Sequence, residues 1–219
     1  MSEPAGAMMP MFPLETALLP GEELPLRVFE PRYSALVRDT LDRDDKSFGV
    51  VLIERGREVG GGDARCNVGV RARIASFEDH GEGQYRLRCP LTERIRIHEW
   101  LTDDPYPRAV VEPWPDEPAP ASDAAVTEIE DRIWGLFERI ALARDARLPQ
   151  REDLLGSSTV NGLPMPAGQR LYDLAARMPM GTADKYTILA APSAADRLTA
   201  LAEAVESVTA VVEFQLSGE

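Results

Sequence analysis

Cysteine, histidine and lysine are all scarce in this chain, with two of each among 219 residues. Cys66 and Cys89 fall in separate apolar segments and neither has a Cys-x-x-Cys partner, so no zinc site and no disulfide framework is encoded. Both are expected as buried free thiols. His80 lies in the turn "EDHGEG" and His98 near the end of a strand, so no triad follows from spacing, and the sequence holds no Gly-x-Ser-x-Gly elbow. With only Lys46 and Lys185 available, a serine–lysine dyad is not signalled either. A Cys89–His98 nucleophile pair across neighbouring strands is disfavoured, because strand alternation turns Cys89 to the core and His98 to the opposite face. Long apolar runs are also missing: none approaches the ~18 residues that a membrane span requires. The opening stretch carries Glu3 and Glu15 with no basic segment before them, so a cytoplasmic protein is expected.

Positive charge is in deficit as well. A net charge of -13 works against a partner dominated by phosphates, because counterion release rewards a cationic surface. The glycine-rich "GREVGGGD" has the Gly-x-x-x-x-Gly spacing of a phosphate loop at Gly56 and Gly61. However, Gly62 and Asp63 stand where a lysine and a hydroxyl residue would be needed. That segment reads as a connection between strands. No cofactor and no metal is expected.

What is present is a folding composition, 44% hydrophobic and 28% charged, sufficient for one sizeable core or two small ones. From Met11 to Trp114 the apolar pattern has period two. Val68, Val70, Ala72 and Ile74 share one face of "VGVRARI", with Arg71 and Arg73 on the other. "YRLRC" and "RIRI" repeat the alternation, "FGVVLIE" reads as a more fully buried strand, and "PRAVVEPW" as a last short one. A curled, barrel-like sheet is predicted.

Six prolines between Pro105 and Pro120 then rule out a helix or central strand. A domain boundary is placed there, giving a β domain over 1–118 and a helical domain over 119–219. Val126, Ile129, Ile133, Leu136 and Ile140 recur at helical spacing behind a candidate cap, Ser122. Residues 147–168 read as a long, mobile connection with at most a turn of helix. Leu171, Leu174, Ala175 and Met178 resume the helical period, and Thr182 and Ser193 are candidate caps for two further helices. The last helix carries Leu198, Leu201, Val205, Val208 and Val212, a seam that packs within the domain or against a second copy of the chain.

Six arginines, Arg71, Arg73, Arg86, Arg88, Arg94 and Arg96, are predicted on the non-core side of three adjacent strands. Such a face either holds a carboxylate or phosphate or is neutralised by glutamates such as Glu78 and Glu93 and by the acidic helical part. From residue 116 onward there are 17 acidic against 9 basic side chains, and neutralisation between the halves is the favoured reading. In "LPLRVFEPRYSALV" the alternation of Leu24, Leu26 and Val28 gives way at Pro31 to the helical spacing of Tyr33, Leu36, Val37 and Leu41. Glu30 sits at the positive helix end, with Arg27 or Arg32 in reach, and Phe29 and Tyr33 are expected as wedges. The stretch reads as a strand-to-helix corner, an architectural feature.

"FPLETALLPGEELPLRVFEPRYSALV", "FGVVLIERGREVG", "VGVRARI" and "YPRAVVE" resemble, in order, the N-terminal substrate-binding domain found at the head of Lon proteases and as free-standing bacterial proteins. "VFEPRY" is the most specific of these, and the C-terminal helices resemble, less specifically, the helical part that follows in Lon. One departure is Leu91, where the family usually has a glycine three residues before the arginine of the "RIRI" strand, so a local turn or bulge is expected to differ there. The resemblance implies an α+β fold, a PUA-like curled β domain with one short helix followed by a helical bundle. It also implies a non-enzymatic role in gripping unfolded or damaged polypeptides, as an adaptor or beside a protease or chaperone machine. Neither an ATPase module nor a proteolytic domain is expected in this chain. Phe29, Arg32, Tyr33, Arg71, Arg73 and Trp114 are the candidate peptide contacts. The rival reading is an RNA or anionic small-molecule binder using the arginine face.

Overall fold

The computed structural model describes residues 6–55 and 64–217. The glycine-rich connection with Gly56, Gly61, Gly62 and Asp63 lies outside the described residues. Two compact units part between Pro115 and Asp116.

The first unit contains β1 (Ala7–Leu14), β2 (Glu23–Val28), α1 (Pro31–Leu41), β3 (Ser47–Arg55), β4 (Ala64–Arg73), β5 (Ser76–Asp79), β6 (Tyr85–Leu101) and β7 (Arg108–Pro113). Strand order runs β6-β4-β3-β1-β7, and β7 pairs back onto β6, so the sheet closes into a ring. Closure removes the exposed edges that an open sheet would leave. The β1–β3 pairing is parallel and the other pairings in the ring are antiparallel. Met9, Met11, Val51, Ile95, Ile97, Ala109 and Val111 fill part of its interior.

"YRLRC" and "RIRI" prove to be one strand of 17 residues, β6. Its first part pairs with β2 and, on the other side, with β5; its second part pairs with β4 and β7. A register shift between Val70/Arg94 and Ala72/Leu91 gives β6 one extra residue at the changeover, and a second shift follows at Ile97/Glu99. Such bulges bend a strand and increase its twist, which lets one strand leave a flat sheet and curl around a barrel. The first bulge sits beside Leu91, which is buried and exchanges backbone hydrogen bonds with the Gly21–Glu22 turn. β1 and β5 were not singled out in the sequence. Pro10 and Pro13 obscure β1, which pairs with β7 through Ala7–Pro10 and with β3 through Met11–Leu14, so each proline sits in a half with one paired ladder.

The second unit contains α2 (Asp123–Ala143), α3 (Arg151–Leu155), the short hairpin β8 (Thr159–Val160) and β9 (Leu163–Pro164), α4 (Ala167–Arg177), α5 (Thr182–Ala190) and α6 (Ala194–Ser217). The connection over 147–168 therefore holds a helix and a hairpin. Asn161 and Gly162 make the hairpin turn, both at positive φ. The Ser122 hydroxyl accepts from the Ala125 amide and Ser193 accepts from the Asp196 amide, as caps should. Thr182, by contrast, is the first helical residue of α5, and Gly181 takes the cap position. The apolar stripes of α2, α4 and α6 meet through Ile129, Ile133, Leu136, Leu171, Leu174 and Leu201, all buried.

Two buried arginines tie this unit together. Arg170 Nε lies 2.6 Å from Glu130, and its Nη1 donates to Asp173 and to the Leu155 carbonyl at 2.9 Å each. Arg197, fully buried, grips both carboxylate oxygens of Asp116 and the Gly168 carbonyl while its guanidinium lies 3.8 Å from the centre of the Tyr172 ring. Asp116 thus belongs to the helical unit, which places the boundary slightly earlier than the proline count alone implies.

Two glycines test the packing in opposite directions. A Cβ on Gly69 would overlap the Val50 carbonyl oxygen, which is backbone and has no rotamer to adopt. A Cβ on Gly135, inside α2, meets nothing within 4 Å. Gly69→Ala is expected to destabilise by about 2–3 kcal/mol, and Gly135→Ala to stabilise by about 0.5–1 kcal/mol. Urea denaturation of the two variants against the parent checks both signs.

Candidate functional site

The corner between β2 and α1 is built as its sequence implies, with one exception. Pro31 occupies the first turn, Glu30 is the extended cap residue without a side-chain cap bond, and Arg32 Nε sits 3.1 Å from Glu30 Oε2. Arg32 also lies 4.5 Å from the centre of the Tyr33 ring. Tyr33 is 4% exposed and stacks on Phe12 with centroids 4.2 Å apart, so it is a wedge in the core. Phe29, expected as the second wedge, is 68% exposed. It follows the buried Val28 at the end of an alternating strand, which turns its ring outward.

The arginine face is not the single solvated surface that alternation predicts. Arg94 is 4% exposed, because the bulge at the β6 changeover shifts the register just before it. Arg94 and Arg96 lie against the Trp114 ring, 4.2 and 3.9 Å from its centre. Arg71 is held by Glu93 at 2.9 Å and faces Asp45 at 3.5 Å, and Arg88 is held by Glu23 at 2.7 Å. The carboxylates come from the same unit as the arginines they meet. Arg73 is exposed. Phe29, Arg32 and Tyr33 therefore share the corner, Arg71 and Arg73 lie on β4, and Trp114 follows the end of β7.

A second surface, in the helical unit, was not singled out as a groove in the sequence. Arg132 pairs with Glu206 at 3.0 Å and Arg139 with Glu213 at 2.8 Å, so α2 and α6 run parallel and end together. In the α6 seam Leu201 and Val205 are buried, but Leu198, Val208 and Val212 are only half-buried. Toward the same helix end Val211 is 56% and Phe214 81% exposed, and Leu142 on α2 is 83% exposed. Phe137, Ile140, Met180, Val208, Val212 and Leu216 line a groove of about 540 Å³, with Arg144 and Asp184 among its polar wall residues. Its signal was the seam itself, since the α2 stripe stops at Ile140 while apolar residues on α6 continue to Leu216. A groove with so apolar a lining is the most prominent apolar hollow of the helical unit among the described residues.

Nucleophilic chemistry finds little support. Cys89 is buried, and that burial, with Glu23 nearby, pushes its thiol up to about 12, far from a thiolate at neutral pH. His98 lies further along the same strand, with Nε2 3.0 Å from Glu112. Cys66 is half-buried, not fully buried as its apolar segment implies. Among the described residues no group of His, Cys, Asp and Glu is placed to hold a metal ion, and no helix is long and apolar enough to cross a membrane. In a native thiol titration near pH 8, Cys66 is expected to react and Cys89 to stay protected until the chain is unfolded. Two rapidly reacting thiols would contradict the burial of Cys89.

Comparison with known proteins converges on one family. The chain matches the ATP-dependent protease La (LON) substrate-binding domain over residues 8–207. It is 33% identical over 108 residues to a Lon protease of Anaeromyxobacter dehalogenans and 35% identical over 107 residues to Lon protease 2 of Myxococcus xanthus. Each match covers 48% of this chain and 13% of the relative, so the chain corresponds to a small part of those proteins. Among solved structures, a Lon N-terminal domain protein from Xanthomonas campestris matches with a TM-score of 0.61 at 26% identity, over 90% of this chain and 98% of that one. The N-terminal domain of a Mycobacterium avium complex Lon protease, at 17% identity and a TM-score of 0.50, shares the fold, over 91% of this chain and 98% of that one. This α+β chain, a closed β unit followed by helices, belongs to the Lon substrate-binding domain family.

Proposed function

We propose that this chain is a non-enzymatic module that binds unfolded or damaged polypeptides in the cytoplasm and presents them to a separate protease or chaperone machine. The observation that carries the reading is the groove at the joint end of α2 and α6. It is lined mainly by apolar side chains, and Val211 in its wall is 56% exposed. An unfolded chain differs from a folded one chiefly in its exposed apolar side chains, and such a groove reads that difference with little sequence selectivity.

The expected affinity is modest. Each aliphatic or aromatic anchor fully buried contributes about 1.5–3 kcal/mol, and ordering a flexible segment takes back several kcal/mol. A few anchors then correspond to a dissociation constant of about 10–500 µM, suitable for a module that must release its client. Because the same groove can accept the apolar end of α6 from a second copy, weak self-association competes with client binding at high concentration. The rival reading, RNA or a small anion on the arginine face, is weakened because Arg71 and Arg88 are engaged by carboxylates and Arg94 is buried.

Val212 lines the groove without being buried in the core. Val212→Asp is therefore expected to leave the fold intact and to weaken binding of a fluorescent apolar peptide at least tenfold by anisotropy. Unchanged affinity in a folded Val212→Asp variant would remove the groove from the account.

A further inference from the structure

Where β2, β6 and β5 lie side by side, Arg27, Phe29, His80, Gln84 and Arg86, together with Val28 and Tyr85, line a hollow of about 210 Å³. The registers place Arg27 directly opposite Arg86, and Arg86 directly opposite Glu78. Directly opposite residues hold their Cβ atoms about 4.5–5.5 Å apart, and like charges in such positions are unfavourable. Both arginines are exposed, so the barrel core does not require them.

Charge at the hollow is out of balance. Glu78 is 3.9 Å from Arg86 and is shared with His80 at 3.4 Å. Arg27 has no ion-pair partner among the described residues. Two residues along β6, by contrast, Arg88 is matched, its Nε and Nη2 donating to Glu23 at 2.8 and 3.0 Å. Two guanidinium groups thus share one distant carboxylate at the wall of a hollow. Arg27 also lies outside the six-arginine face, most of whose members are paired or buried.

We propose that this hollow binds one phosphate group, free or at the end of a small phosphomonoester, between Arg27 and Arg86. Each guanidinium presents a parallel pair of N–H donors that matches one edge of an oxyanion. A tetrahedral phosphate offers an edge to each arginine, whereas a carboxylate has two oxygens and a single edge. Gln84 adds an amide donor to the wall. The volume is below the ~300–1,000 Å³ of sites that enclose drug-sized ligands, which fits a small occupant. Two guanidinium groups on a chain of net charge -13 provide no extended positive field for RNA. Phe29, 68% exposed, offers an apolar contact to the organic part of a monoester. The occupant is a small anion held in the β unit, so this site and the helical groove stand or fall independently.

The test is an NMR titration of the full chain at low salt with inorganic phosphate, phenyl phosphate and benzoate, read at the amides of residues 27–29 and 84–86. Phosphate and phenyl phosphate are expected to shift these signals saturably with a midpoint of about 1 mM or below, and benzoate to bind at least about fivefold more weakly than phenyl phosphate. Tighter binding of phenyl phosphate than of phosphate, lost in Phe29→Ala, assigns the site to a monoester; affinity no better than that of phosphate assigns it to the free ion. Arg27→Gln and Arg86→Gln are each expected to weaken phosphate binding at least about tenfold. Arg88→Gln, which removes the same charge from the neighbouring matched row, is expected to change it less than about twofold. The proposal is overturned by no saturable shift up to about 20 mM phosphate, or by benzoate binding as tightly as phenyl phosphate. It is also overturned by equal losses in Arg88→Gln and Arg27→Gln, or by a single-stranded RNA probe that outcompetes phosphate at these amides.

Discussion

One strand has to serve two sheets at once, and the β unit is arranged around that demand. β6 carries alternating apolar residues from Tyr85 to Leu91 against β2 and β5, then closes the barrel between β4 and β7. Without the extra residues at its two bulges, the strand would run straight out of the ring it must complete. The same device decides which arginines reach solvent. Before the first bulge Arg86 and Arg88 stand exposed; after it Arg94 is buried against Trp114. The chemistry available on the surface is therefore a consequence of how the barrel closes.

The helical unit solves a different problem with the same residue type. Its apolar stripes bury α2, α4 and α6 against one another, while Arg170 and Arg197 fix the segments that have no periodic stripe of their own. Buried ion pairs of this kind add little net stability, because desolvation offsets much of their attraction, but removing one partner leaves the other charge buried and unpaired. Gly168 shows how tight the arrangement is: a Cβ there would stand 2.5 Å from Asp116 Oδ2 and 2.9 Å from Arg197 Nη1. A domain fixed so closely at one end can leave the far ends of α2 and α6 apolar and uncovered.

Much of this was legible in the sequence because it rests on local periodicity. The alternation in "VGVRARI", the Pro31 helix start, the Ser122 cap and the Leu171–Met178 stripe all appear where the residues place them. What was not legible depends on long-range partners. The union of "YRLRC" with "RIRI" needs knowledge of which strands flank them, and the burial of Arg94 follows from a bulge that leaves no residue signature beyond Leu91. Arg197 and Asp116 are far apart in sequence, so no window of either predicts the pair. For the candidate surfaces, the α6 seam pointed toward the groove, but only the structure shows where its intramolecular partner stops.

The groove has a simple origin, since it leaves a periodic element one partner short: α6 beyond Val205. The central claim is that this unfinished element grips other chains. Hydrogen exchange with and without a permanently unfolded client, such as reduced and carboxymethylated lactalbumin, tests it most directly. The account predicts that client slows exchange in residues 137–144, 179–184 and 207–216, with the barrel interior unchanged. Protection confined to the barrel interior, or no protection anywhere at saturating client, would contradict it.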